Sequence, residues 1–207
     1  MDNHVYKETA AELGAFIKAS PTAFHAVQTI RHILEQNGFS QLPESEAWKI
    51  DPGKGYYVVR NHSSIIAFKA GKKLEDYGFH VTVSHSDSPS FKIKENAEIQ
   101  VNKQYTKLNT EGYGGMLCAS WLDRPLSVAG RVIVKEDHNM AVKLVKLDRD
   151  LVMIPSLAIH MDRNVNDGHA YNKQKDMLPV FGSGSLEKGS LKKLVAQELQ
   201  IEAEQIY

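Results

Sequence analysis

The chain has 207 residues, room for one large domain or two small ones, and at 42% hydrophobic and 24% charged it is globular rather than disordered. Its 25 basic and 25 acidic residues cancel, which excludes a global electrostatic pull toward nucleic acid or an anionic membrane. One cysteine, Cys118, excludes an internal disulfide framework. No apolar run reaches the about 18 residues that span a bilayer. The start, Met1-Asp2-Asn3-His4, lacks the basic and apolar regions of a signal peptide. The expectation is a soluble, cytoplasmic protein without nucleic-acid or membrane partners.

Taken in order, residues 5 to 19 carry a helical pattern with Leu13, Phe16 and Ile17 on one face. Ser20-Pro21 stops that helix and starts another, Ser20 as N-cap and Pro21 as first helical residue. The second helix has Phe24, Val27, Ile30 and Leu34 as its buried stripe, and Gly38 ends it as a C′ glycine. From Gly55 the period changes to that of strands: Tyr56 to Val59, Ser64 to Ala70 and Phe79 to Ser84. Phe91 to Lys94, Glu98 to Val101, Tyr105 to Asn109, Ser127 to Lys135, Val142 to Leu147 and Leu157 to His160 read as further strands. Phe181 to Ser185 is a flexible loop by composition, and lacks the preceding strand and following Lys-Ser or Lys-Thr pair of a phosphate cradle. No cofactor-binding motif is therefore assigned. Ser190 caps a last helix carrying Leu191, Leu194, Val195 and Leu199. The fold class expected is α/β: residues 1–94 as part of an α/β domain, then residues 95–207 as a β-rich domain with a C-terminal helix.

The chemistry is expected at Val83-Ser84-His85-Ser86-Asp87-Ser88-Pro89. Alternating Phe79, Val81 and Val83 read as a strand that delivers a histidine and a carboxylate to its C-terminal end, where ligands collect in α/β proteins. Residues two apart in an extended chain share a side, so His85 and Asp87 project together, about 6 to 7 Å apart at Cα. An imidazole can bind a metal through one nitrogen while its other nitrogen is oriented by a carboxylate. His-x-Asp supplies both parts from one segment, although the same pair also serves as a purely structural hydrogen bond.

The other histidines read more plainly. His25 and His32 share a helix face but have no acidic partner beside them. His62 sits in an Asn-His turn, His80 lies on the strand face opposite His85, and His138 and His169 fall in polar loops where exposure is the default. Asp123-Arg124 suits an ion pair buried beneath the second domain. Asp162 and Asp167 lie near His160, but no nucleophile completes a triad with them. Cys118, between Leu117 and Ala119, reads as buried packing.

Several motifs, in order along nearly the whole chain, resemble the N-terminal half of the aspartyl aminopeptidases of the M18 metallopeptidase family. They are Ser20-Pro21-Thr22-Ala23-Phe24-His25-Ala26-Val27, Asn61-His62-Ser63-Ser64-Ile65-Ile66-Ala67-Phe68 and Ser84-His85-Ser86-Asp87-Ser88-Pro89. Then come Glu111-Gly112-Tyr113-Gly114-Gly115, Trp121-Leu122-Asp123-Arg124-Pro125-Leu126, Ala129-Gly130-Arg131-Val132, and Ile154-Pro155-Ser156-Leu157-Ala158-Ile159-His160 followed by Arg163-Asn164-Val165-Asn166. The resemblance implies a two-zinc aminopeptidase that releases N-terminal Asp or Glu from peptides. It places His85 on a metal ligand and Asp87 on the carboxylate that clamps it. It places His160 on a residue that reaches a neighbouring subunit's active site and helps bind substrate or stabilise the transition state. It also implies a β-rich dimerisation domain and homo-oligomers built from dimers.

Ser86 stands where the family commonly has Thr, and Gly112 and Pro125 are mild variations. The larger departure is length, because the family chain is about twice as long and its second half carries the other metal ligands, the glutamate base and the residues that read the acidic side chain. A catalytic zinc normally has three protein ligands and an open position. One imidazole holds zinc weakly, so the chain alone is expected to be inactive and to need a missing C-terminal half. The alternative is a non-catalytic oligomerisation or binding module. Half a parallel sheet leaves an open edge, so dimers or larger species are expected.

Overall fold

The computed structural model describes residues 3–73, 78–184 and 186–207. The chain divides into two compact units, Met1–Ser88 and Pro89–Tyr207. Lys94, where the sequence suggested a boundary, lies inside a strand of the second unit.

The first unit holds helices α1 (Asn3–Ala19) and α2 (Ala23–Gln36) and a sheet of β1 (Phe39–Gln41), β2 (Gly55–Arg60) and β3 (Ser64–Lys69). β1 runs parallel to β2, and β2 antiparallel to β3. The run Tyr56-Tyr57-Val58-Val59 is aromatic and β-branched, which suits a pleated, half-buried surface. Asn61 and His62 both take positive φ, 51° and 56°, and turn β2 into β3. Paired left-handed residues match the twist of a tight hairpin, and Asn tolerates that region.

α2 begins later than expected. Thr22, in extended conformation, is the N-cap and accepts from the His25 backbone N–H, so the hydroxyl one residue beyond Pro21 does the work assigned to Ser20. Gly38, at φ 79°, ends the helix as expected. Ala26 and Val27 are buried, and the Tyr57 hydroxyl donates to Glu35 to fix α2 against β2. That bond, with Arg31 beside it, holds the Glu35 carboxyl below its ordinary range, while burial pushes the Tyr57 phenol up. The apolar face read on α1 is largely open to solvent: Leu13 and Ile17 are exposed and Phe16 is half-buried.

The second unit has a sheet of β4 (Ser90–Val101), β5 (Tyr105–Tyr113) and β8 (Val180–Ser183), a hairpin of β6 (Ala129–Glu136) and β7 (Asn139–Lys146), and helix α3 (Ser190–Leu199). Three 3-10 turns complete it: η1 (Cys118–Trp121), η2 (Val165–Asp167) and η3 (Ala203–Gln205). The two strands read at Phe91–Lys94 and Glu98–Val101 are one strand, with its register to β5 shifting between Ile93 and Glu98 as at a bulge. β8 corrects the loop reading of Phe181 to Ser185 over its first three residues, Phe181 to Ser183: Tyr105 pairs with Ser183, Thr106 with Gly182 and Lys107 with Val180. Its glycine serves close packing, since a Cβ at Gly182 would sit 2.1 Å from Leu186 Cδ1. Ser185 lies outside the described residues.

The core of this unit centres on Leu108, Val145, Leu147, Val152, Leu191, Val195 and Ile206, with Leu108 only 1% exposed. α3 is capped by Gly189 rather than Ser190. The Glu98 carboxylate accepts from the backbone N–H groups of Gly189 and Leu191, each at 2.7 Å, and so supplies the anion that a helix N-terminus favours. No helix among the described residues is long and apolar enough to cross a membrane.

Candidate functional site

The segment carrying His85 is the first correction. Residues 78 to 89 belong to none of the described sheets, so the expected strand over Phe79–Ser84 does not form. Phe79, Val81 and Val83 are 83%, 76% and 86% exposed. Alternation records where side chains point in an extended chain, but a strand also needs a neighbour for its backbone groups. Ser86 Oγ donates to the Ser63 carbonyl at 3.1 Å, which seats the segment at the turn between β2 and β3.

At that seat His85 Nδ1 lies 3.0 Å from Asp87 Oδ1. The His85 side chain is 92% exposed and that of Asp87 38%. The carboxylate engages Nδ1 and leaves Nε2 as the nitrogen for a metal. The two residues fit one ligand and its orienting group, but not a whole metal centre. Among the described residues no three His, Cys, Asp or Glu side chains form a group able to hold a metal ion.

His25 and His32 do not approach such a site. His25 is buried with Nδ1 2.8 Å from the Thr22 hydroxyl, and His32 is exposed with Nε2 2.9 Å from Gln36 Nε2. His62, His80 and His138 are exposed.

In the second unit, His160 stands on a turn rather than in the strand read over Leu157–His160. Met161 N–H donates to the Ala158 carbonyl at 2.8 Å and closes that turn around Ile159 and His160. Leu157, Ile159 and Met161 are exposed, so the alternating pattern here has no layer to cover it. Asp123, at φ 54°, accepts from the Ser156 backbone N–H at 2.9 Å, and its own N–H donates to Ile154. The Ser156 hydroxyl and amide hold the Asp123 carboxyl below the usual carboxylate range. The expected buried Asp123–Arg124 pair is thereby replaced, and both residues are exposed.

Asp162 does not serve His160. Its Oδ2 lies 2.7 Å from His169 Nδ1, and His169 Nε2 is 3.8 Å from Asp176 Oδ2. The His169 ring stands edge-on to Tyr171 at 4.6 Å and is half-buried, not the exposed loop residue that the sequence suggested. Asp167 lies in η2, and Cys118, in η1, is half-buried rather than buried. The Asp162–His169–Asp176 group was missed because its members are seven residues apart at each step and meet only by folding. The one local signal was Asn172, whose side chain accepts from Gln174 N–H and marks a turn leading to Asp176.

The sequence profile of the family described as aminopeptidase I zinc metalloprotease (M18) matches residues 16–207. The chain belongs to the M18 peptidase family. This M18 chain is 46% identical over 203 residues to a probable M18 family aminopeptidase 2 of Clostridium novyi (strain NT), covering 95% of itself and 47% of that relative. An aspartyl aminopeptidase of Dictyostelium discoideum is 43% identical over 181 residues, covering 86% of this chain and 37% of that one. Among solved structures, the Ape4 and Nbr1 complex contains a chain that superposes with a TM-score of 0.90 at 35% identity, over 97% of this chain and 42% of that chain. The M18 aminopeptidase of Thermotoga maritima shares the fold at a TM-score of 0.74 and 24% identity, over 99% and 46% of the two chains. The M18 chain thus spans about half the length of the curated relatives it matches, 47% of the Clostridium novyi protein.

Proposed function

We propose that this chain supplies part of a zinc-dependent aminopeptidase that releases N-terminal Asp or Glu from peptides. The observation that carries the reading is the His85–Asp87 contact at 3.0 Å, in a chain whose M18 match runs over residues 16–207. His85 contributes one zinc ligand through Nε2, and Asp87 orients the imidazole. When bound, the metal would acidify an attacking water and polarise the scissile carbonyl. The chain's own residues hold one coordination position and present His160 to substrate in a neighbouring subunit. The remaining ligands and the general base come from outside these 207 residues. The 207-residue chain alone is then not a competent peptidase. A cytoplasmic setting, supported by the single Cys118, and a homo-oligomeric assembly complete the proposal.

The test is hydrolysis of an N-terminal aspartyl peptide, with zinc content measured in parallel. The 207-residue chain is compared with the same chain joined to the C-terminal half of the Clostridium novyi relative. The expected result is no turnover by the chain alone and turnover by the joined protein, with His85→Ala and His160→Ala each lowering it at least ~100-fold. Two zinc ions per subunit and full turnover in the chain alone would overturn it.

A non-catalytic association module is the second reading. It draws on the exposed Leu157, Ile159 and Met161, an apolar cluster suited to a partner surface. Full turnover by the joined protein sinks it.

A further inference from the structure

We propose that Asp123 and His169 are positioning residues that hold the excursion from Leu157 to Tyr171 in shape and so set where His160 stands. The inference rests on the reading of His160 as a substrate-facing group.

The two ends of the excursion are anchored on regular structure. On the entering side, Ile154 is fully buried, and Met153 and Val180 exchange backbone hydrogen bonds at 3.2 and 2.7 Å. On the leaving side, Met177 is fully buried, the Leu108 N–H donates to the Pro179 carbonyl at 2.8 Å, and Lys94 Nζ donates to Gln174 at 2.9 Å. Between these anchors there is no strand among the described residues, and the apolar residues flanking His160 are exposed: Leu157 is 59% exposed and Met161 76%. A tether of this length has many conformations unless something shortens the free path.

Two polar ties do so. Asp123, held in the left-handed region that Asp tolerates, fixes Ser156 just as the chain leaves the anchor. His169 ties the far side: Nδ1 at 2.7 Å from Asp162 reaches back to the residue two after His160. Nε2 faces Asp176, whose Oδ2 also accepts from the Asn172 N–H at 2.7 Å. One imidazole thus connects the middle of the excursion to its anchored base, with Tyr171 packed against the ring in an edge-on contact that restricts its rotation. The free span that carries His160 contracts to the stretch from Ser156 to Asp162. Inside it the Ala158–Met161 turn is closed by its own hydrogen bond.

The experiment uses the whole 207-residue chain labelled with carbon-13 at histidine Cε1, the His160 resonance being assigned by its loss in His160→Ala. Hydrogen–deuterium exchange of peptides from 156 to 171 is measured alongside, with β6 and β7 as the internal standard. His169→Ala should move the His160 resonance by more than its linewidth and speed exchange of the excursion about 10-fold, the effect of losing a hydrogen bond to a charged group. His169→Asn keeps a side-chain N–H to donate to Asp162 and should restore both readouts to within about 3-fold of the native chain. Asp162→Ala should repeat the loss from the other partner, and Asp123→Ala should speed exchange at Leu157 and Ala158 first. An unmoved His160 signal in both His169→Ala and Asp162→Ala overturns the proposal. So does His169→Asn behaving as His169→Ala, since ring packing rather than the donor would then be the tie. The His160→Ala turnover test stands apart from these measurements: it decides the role of His160, and the exchange and resonance results decide the tie.

Discussion

Two segments of this chain look alike in sequence and differ in what holds them. Phe79–Ser84 and Leu157–His160 both alternate apolar residues, both lie outside the strands, and both carry a candidate histidine to an exposed position. The first is seated through Ser86 on the Ser63 carbonyl, with the His85–Asp87 pair internal to itself. The second is tied at both sides to a unit with a closed core. Its shape can therefore be set within its own unit, whereas the His85 segment leaves its apolar residues exposed.

The sharpest way to break this contrast is to damage the core beneath the tied segment. Leu108→Ala removes a fully buried side chain at the centre of β5 and should cost about 2–5 kcal/mol, read as a drop in the denaturation midpoint of the second unit. A loss below about 0.5 kcal/mol would show that the core does not support the tie. In the first unit, Tyr57→Phe removes the bond to Glu35 while keeping the ring, and should cost about 1–2 kcal/mol by urea denaturation.

Acid gives a smaller effect of known sign. Glu35 has its folded pKa held below the unfolded value, chiefly by the Tyr57 hydroxyl. Its contribution is complete above the ordinary carboxylate range and is lost as pH falls through the depressed folded value. The gap in urea midpoint between the native chain and Glu35→Gln should close as pH is lowered through that window, and a gap that widens would reverse the assignment. Asp123 behaves with the same sign through Ser156. The smallest effect is expected at Val83→Asp, which alters a residue 86% exposed and should leave the chain's stability within about 0.5 kcal/mol.

Much of the architecture was legible. Helical periodicity located α1, α2 and α3 within a few residues, and β-branched runs marked β2 through β7. What escaped depends on partners distant in sequence. β8 hid because Gly182 and Ser183 look like a loop, while its place is decided by β5 and by Leu186 against a missing Cβ. The false strand over Phe79–Ser84 came from alternation without a pairing neighbour. At the candidate site the local His85–Asp87 contact was readable because both residues sit in one tripeptide. His169 was read as surface because neither Asp162 nor Asp176 announces that it will turn toward the ring.

Glu98 has a consequence for how the molecule is made. Its carboxylate on β4 accepts from Gly189 and Leu191, so strand and helix are joined across most of the second unit. During synthesis the helix-capping anion emerges long before the helix it caps. Until Val180–Ser183 has left the ribosome, the long β4–β5 hairpin lacks its β8 neighbour, and until Leu191 follows, Leu108 lacks part of its cover. Contacts between distant residues form slowly because loop closure must precede them. The nascent chain therefore passes through an interval in which an exposed strand edge invites wrong pairing; β8 closes that edge, and the Glu98 contact with the N-terminus of α3 then completes the unit.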